Sequence, residues 1–114
     1  MEIMTVQKAD VTVVTIMHDM DATTSAETAA YLNAEIDAGH PRLVIDISGV
    51  AYLSSAGLRV FLGALRSARS SGGDVRLASA ASNVRRVLDM SGFVEFMQTF
   101  PTAEEAVASF HPGG

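Results

Sequence analysis

Two adjacent hydroxyls, Ser54 and Ser55, stand in the run Leu53-Ser54-Ser55-Ala56-Gly57-Leu58, where an apolar strand-like segment gives way to a helical one. Serines so placed can do three kinds of chemistry. A nucleophile elbow wants Gly-x-Ser-x-Gly and a His–acid pair to activate it; the positions two away from Ser55 are Leu53 and Gly57, and no such pair is identifiable. A phosphate-cradling loop wants Gly-x-x-x-x-Gly-Lys followed by Ser or Thr, and the chain's single lysine is Lys8. ATP or GTP hydrolysis by that route is excluded. The third chemistry makes a serine the substrate. A phosphoryl group at a helix N-terminus meets unpaired backbone N–H groups and the positive end of the helix dipole, so about two added negative charges change the surface and leave the core alone. The plain structural alternative is a cap, in which a serine oxygen accepts a backbone N–H two or three residues on. Gly57 comes too early in the helix to terminate it and suits a close backbone approach.

Arg59 and Arg66 lie seven apart on the same helix, about twenty degrees from each other around its axis. They either solvate the helix with their stems laid along it or form the rim of a partner-facing surface, with Arg59 placed to hold a phosphate on the preceding turn. His18, Asp19 and Asp21 are metal-ligand types, but they share a loop with no second cluster and no i, i+4 His pair, so no metal site is expected. Asp21 suits a hydrogen bond to turn backbone before the first helix, and Asp46 suits a strand end. His40 and His111 adjoin turn residues.

The elements that must position these residues follow from periodicity. Residues 2–6 and 11–16 are rich in β-branched side chains and are separated by Gln7-Lys8-Ala9-Asp10, which predicts an antiparallel hairpin. After a loop over residues 18–23, Thr24-Ser25-Ala26-Glu27 has capping-box spacing. It predicts a helix starting there, facing inward with Ala26, Ala29, Leu32 and Ile36 and ending near Ala38, before Gly39-His40-Pro41. Residues 43–47 are apolar except for Asp46, the pattern of a central strand covered by helices on both faces. The next helix carries Leu58, Phe61, Leu62 and Leu65 as its stripe and closes at Ser71-Gly72-Gly73-Asp74. A strand over 75–78 follows, then a helix over 82–90 with Val84, Val87 and Leu88 inward and Gly92 as its C′ residue. A strand over 94–99 comes next. Thr102-Ala103-Glu104-Glu105 starts a last short helix with Ala106, Val107 and Phe110 on its apolar side. The order ββαβαβαβα implies one α/β domain over residues 1–110, a mixed and mostly parallel sheet of four to five strands with about four helices. Residues 111–114 are expected to form a disordered tail.

Composition agrees with one domain and removes several function classes. At 114 residues and 48% apolar, folding buries about two-thirds of the surface of the unfolded chain, enough for a core without staples. The absence of cysteine excludes thiolate zinc sites, iron–sulfur clusters, disulfides and thiol nucleophiles. A formal charge of -5 argues against nucleic-acid binding along a broad basic face. The charge is uneven, however: residues 42–86 carry seven Arg against Asp46 and Asp74, which suits an acidic partner or a phosphate. No basic leader with an apolar run opens the chain, and no apolar run approaches the about 18 residues of a membrane span. A cytoplasmic protein is expected.

Four stretches then resemble, in order, a STAS domain, the module of bacterial anti-sigma factor antagonists and of the tail of sulfate transporters. They are Leu43-Val44-Ile45-Asp46-Ile47-Ser48-Gly49-Val50, Tyr52-Leu53-Ser54-Ser55-Ala56-Gly57-Leu58-Arg59-Val60, Gly72-Gly73, and Val87-Leu88-Asp89-Met90-Ser91-Gly92-Phe93. The likeness covers nearly the whole chain, and the Asp21 loop resembles the family's opening half. It implies a switch without enzymatic activity or cofactor. The unphosphorylated antagonist binds an anti-sigma factor that is also a serine kinase of histidine-kinase-like ATPase fold and so frees a sigma factor. Phosphorylation ends that binding, and a PP2C-type phosphatase restores it. The acceptor, two positions before the motif glycine, falls on Ser55. Asp21 and Thr23 in their loop and Ser54, Ser55, Ala56, Gly57 and Arg59 at the helix start form the implied docking face. The chain departs from many antagonists in having Ser54 where they carry an aspartate. Within the family the rival is a STAS scaffold that is not phosphorylated, such as a subunit of a lipid-transport ABC system or a piece of a larger signalling assembly; outside it, the rival reading of the same helix N-terminus is a small enzyme or nucleotide binder.

Overall fold

Strand β1 (Ile3–Lys8) and β2 (Val11–Ile16) form the expected hairpin, turning at Ala9 and Asp10. They belong to a computed structural model that describes residues 2–111, so residues 112–114 of the expected tail lie outside the described residues. His111 is placed: its N–H donates to the Ala108 carbonyl at 3.0 Å and its Nε2 lies 2.6 Å from Asp10 Oδ1, which fastens it to the first hairpin turn. After the hairpin come α1 (Ala22–Asp37), β3 (Arg42–Asp46), α2 (Ser55–Ser70), β4 (Asp74–Ala78), α3 (Ser82–Met90), β5 (Thr99–Phe100) and α4 (Ala103–Ser109). The five strands lie in the order β1-β2-β3-β4-β5, antiparallel between β1 and β2 and parallel elsewhere. The single α/β domain with a mixed, mostly parallel sheet is thus observed, with β3 at its centre.

The strands lie between two unequal layers. Val14, Ile16, Leu43, Ile45, Val75 and Leu77 turn one face toward α1, α2 and α3, where Leu32, Phe61 and Leu88 are fully buried. On the opposite face Val11, Val13, Val44 and Ala78 meet Ala106 of α4. Each inner strand therefore buries side chains on both sides, which is why residues 43–45 carry no alternation. Phe61 and Phe93 meet edge to face, with centroids 6.3 Å apart, an arrangement that adds to the burial of both rings.

Four expectations change. Helix α1 begins at Ala22, not at Thr24: Asp21 is the N-cap, and Thr24 is the third helical residue that answers it. Its inward face is Ser25, Thr28, Leu32 and Ile36; Ala26 is exposed and Ala29 half-buried. Residues 94–99 do not form a strand. Gly92, at φ +75°, ends α3 as its C′ residue and leads into a 3₁₀ turn over Phe93–Glu95, and only Thr99 and Phe100 join the sheet. Phe93 and Met97 are the residues buried there; a strand that turned both inward would carry Glu95 inward between them, and Glu95 is exposed. Val87 points outward from α3, leaving Val84 and Leu88 as its buried pair. Among the described residues no helix is long and apolar enough to cross a membrane.

Candidate functional site

The site is built where β2 and β3 end, from the loops that lead into α1 and α2. The two loops run side by side as a short parallel bridge between Met20 and Leu53. Met20 N–H donates to the Tyr52 carbonyl and Ser54 N–H to the Met20 carbonyl, both at 2.9 Å. Asp19 completes the junction by accepting from Ala51 N–H at 2.9 Å and from Tyr52 N–H at 3.1 Å. From the third side, Asn83 in the first turn of α3 donates to the Ala51 carbonyl at 2.7 Å. Met20 and Leu53 are buried beneath this network. The aspartate considered above as a metal ligand is thus engaged by backbone amides, and His18 directs its Nδ1 at the Asp19 carbonyl, 2.9 Å away.

Both helices enter this end with side-chain caps. Asp21 Oδ1 accepts from Thr24 N–H at 2.9 Å, and Thr24 Oγ1 accepts from Asp21 N–H at 3.0 Å, a reciprocal capping box. The Thr24 amide, followed by the Thr24 hydroxyl, holds the Asp21 carboxyl below its ordinary value of 3.8 against a smaller opposing effect of burial. For α2 the N-cap is Ser54, whose Oγ accepts from Gly57 N–H at 3.2 Å while its carbonyl takes the Leu58 N–H at 3.1 Å. Aspartate and serine are both strong N-cap residues, so Ser54 does the capping job that an aspartate at the same position would do.

The cap divides the two hydroxyls that sequence alone leaves equivalent. Ser54 is half-buried and its oxygen is engaged; Ser55, the first residue inside α2, is exposed, and its hydroxyl has no hydrogen-bond partner among the described residues. The amides of Ser55 and Ala56 belong to the first helical turn, which has no intrahelical acceptors for them. Gly57 is buried on the sheet side of the same turn, where an added Cβ would stand 2.6 Å from Leu53 Cδ1 and 2.9 Å from Met20 Cβ. That is the close approach its position suggested. Arg59 projects one turn below Ser55, exposed and without an ion-pair partner among the described residues. Thr23 is exposed on the first turn of α1.

All seven residues named for the docking face lie in the two loops or in the first two turns of the helices they open, at one end of the molecule. Asn83 was not legible in advance, since an asparagine early in a helix carries no signal of a bond to a loop thirty-odd residues away. Asp19 was legible only as a polar loop residue. Asp46 ends its strand as expected, accepting from Ser48 N–H at 2.9 Å.

Comparison with known proteins places this geometry. The family model described as STAS domain matches residues 2–106. A Bordetella bronchiseptica protein, BtrV, named as a candidate anti-sigma factor antagonist, is 32% identical over 108 residues, covering 94% of this chain and 93% of the relative. The crystal structure of another candidate antagonist, from Thermotoga maritima, superposes with a TM-score of 0.88 at 22% identity, over 94% of this chain and 92% of that one. The Bacillus cell fate determinant SpoIIAA shares the fold in two forms. Its unphosphorylated form gives a TM-score of 0.80 at 20% identity over 96% of each chain; its phosphorylated form gives 0.72 at 19% identity over 96% of this chain and 100% of that one.

Proposed function

The chain belongs to the STAS domain family, and on that premise we propose that it is an anti-sigma factor antagonist switched by phosphorylation of Ser55. The unmodified protein binds a cognate anti-sigma factor, a serine kinase of histidine-kinase-like ATPase fold, through Asp21 and Thr23 of one loop and the segment from Ser54 to Gly57 with Arg59 of the other. Binding displaces a sigma factor. The kinase then transfers the γ-phosphoryl group of ATP to Ser55 Oγ, releasing ADP and the hydroxyl proton, and the modified protein lets go. A PP2C-type phosphatase returns the group to water as inorganic phosphate. The protein acts by binding, in the cytoplasm where sigma factors work, and requires no metal or cofactor of its own.

One observation carries this reading: Ser54 takes the cap of α2 and leaves Ser55 exposed and unbonded at the helix N-terminus. The neighbouring amides and the helix dipole accommodate a dianion there without any rearrangement of the core. The partner meets a different surface. Two like charges about 4 Å apart repel by about 1 kcal/mol in bulk water and by about 4 kcal/mol at an effective dielectric of about 20. The latter is roughly three decades of affinity, at about 1.4 kcal/mol per decade. Repulsion alone therefore suffices to release a partner from a partly dry interface. The name given to BtrV and the two solved forms of SpoIIAA support the same role.

The test compares Ser55→Asp and Ser55→Ala with the wild-type protein. Ser55→Asp is expected to keep its circular dichroism spectrum and thermal midpoint while binding the kinase at least about tenfold more weakly in calorimetric titration. Ser55→Ala is expected to bind and to take no label from radioactive ATP. Undiminished binding by the first variant, or labelling of the second, overturns the reading.

A further inference from the structure

A cleft of about 450 Å³ opens between α1 and α2. Its upper end is the site itself: Ala22 and Ala56, beside Asp21 and Ser55, are its first lining residues. Along α1 the wall continues through Ala26 and Ala29, and along α2 through Val60 and Gly63, each row stepping by four and then three residues. The two helices link successive parallel strands and therefore run in the same direction, so the rows face each other turn by turn. Small side chains on both rows leave a trough between ridges of helical period, the shape into which a third helix packs.

The chemistry of the trough has one sign. Arg59 is its only charged lining residue, no carboxylate lines it, and both helix N-termini open at its head. In its floor lies Ser25, 2% exposed, with an Oγ that has no hydrogen-bond partner among the described residues. A buried hydroxyl left in that state costs stability and is normally answered by a partner.

We propose that the α1–α2 groove receives an amphipathic helix of the kinase partner, with an acidic side chain directed at Arg59, and that phosphate on Ser55 withdraws Arg59 from that contact. The proposal rests on the antagonist reading above and deepens it. Ser55 and Arg59 are i and i+4 on α2, with the prospective anion on the N-terminal side, the favoured order for such a pair. The phosphoryl group thus acts twice: it adds negative charge at the head of the groove, and it pairs with the cation that an incoming carboxylate needs.

Calorimetric titration of the unmodified full-length chain with its kinase partner provides the test. Gly63→Leu fills the trough; an added Cβ at Gly63 meets nothing within 4 Å, so the variant is expected to keep its fold, with a thermal midpoint at or above that of the wild type. It is expected to bind at least about tenfold more weakly, as is Arg59→Ala. In the Arg59→Ala background the ratio of affinities between unmodified and Ser55-phosphorylated protein shrinks by several-fold, a coupling that a merely structural arginine would not show. If wild-type protein binds and Gly63→Leu binds within twofold of it, the groove proposal falls and the antagonist reading stands. If wild-type protein does not bind, both fall. If Gly63→Leu instead changes the sedimentation of the chain alone, the occupant is a second copy and the proposal is overturned.

Discussion

At the amino ends of β2, β3 and β4, charges meet charges. Arg42 pairs with Asp10, Arg69 and Arg76 each approach Asp74 at 3.1 Å, and the Arg76 guanidinium lies 3.9 Å over the Phe110 ring. At the carboxyl ends of β2 and β3, polar side chains meet backbone. Asp19, Asp21, Ser54 and Asn83 bind N–H or C=O groups of the loops, and the side chains left over, Ser55 and Arg59, face solvent without partners among the described residues. An end whose charges answer one another offers little to a second protein. An end whose backbone is held by its own side chains offers a fixed geometry with an unused hydroxyl and an unused cation. The two ends differ in which atoms the polar groups satisfy, and that difference separates a structural end from the proposed recognition end.

Glycines test the contrast most severely. A Cβ on Gly73 would stand 2.0 Å from the Pro41 carbonyl oxygen and 2.4 Å from its carbon, the same carbonyl that accepts the Asp74 N–H at 3.0 Å. Backbone opposes backbone there, so Gly73→Ala is expected to lower stability by about 3 kcal/mol, the upper part of the overpacking range, measured as a shifted urea midpoint. Once folded, it should bind the kinase as wild type does. Gly57→Ala meets the tip of Leu53 and the Cβ of Met20, groups with more freedom to yield, and recovers about 1 kcal/mol of helix propensity. A net loss of about 1 kcal/mol is expected, together with weakened kinase binding because the bridge between the two loops shifts. If Gly73→Ala weakened binding and Gly57→Ala did not, the assignment of structural and recognition ends would be reversed.

Ser54→Ala sharpens the division within the recognition end. Loss of an N-cap costs about 1 kcal/mol, read again from the urea midpoint, whereas the acceptor hydroxyl next to it remains. The folded variant is therefore expected to take up one phosphate per chain from ATP and the kinase. Uptake that disappears with Ser54 would place the acceptor on the wrong serine.

The elements legible in the sequence were those whose signal is local. Helix α3 and strand β2 stand at the limits their patterns predict, and the left-handed Gly39 and Gly92 end their helices where the sequence placed them. The start of α1 was obscured because Asp21-x-x-Thr24 and Thr24-x-x-Glu27 both have capping spacing. The choice between them is made by Asp19 and Met20, which are pinned to the loop before α2 and so fix where the chain can turn into a helix. Residues 94–99 misled for the complementary reason. Their apolar and β-branched content suits a strand, but a strand burying Phe93 and Met97 would have to bury Glu95 between them, and an edge strand only two residues long leaves no alternation to detect. At the site, the position of Ser55 was legible as a motif, yet its freedom was not. That freedom depends on which of two neighbouring oxygens takes the Gly57 amide, a matter of backbone angles at Ser54.

The gentlest test lies in acid. Asp21 has a carboxyl held below 3.8, chiefly by the Thr24 amide, so the folded chain binds its proton less readily than the unfolded chain does. The stability this contributes is complete above the unfolded value and is lost as pH falls from about 4 through the folded value. Asn is as good an N-cap as Asp, so Asp21→Asn keeps the hydrogen-bond geometry and removes only the titration. The melting temperature of wild type is therefore expected to exceed that of Asp21→Asn slightly near neutral pH, and the gap should narrow as pH falls below about 4. The effect is small because the carboxylate is exposed and screened. At the opposite end Asp10 is also lowered: burial opposes ionisation, but the residue's own amide together with His111 and Arg42 outweighs it. A gap for Asp21→Asn that stayed constant as the pH fell well below about 4 would mean that the Thr24 amide does not favour the ionised carboxylate. The recognition end would then not be held by the grip of its side chains on backbone amides, and the contrast between the two ends would fail.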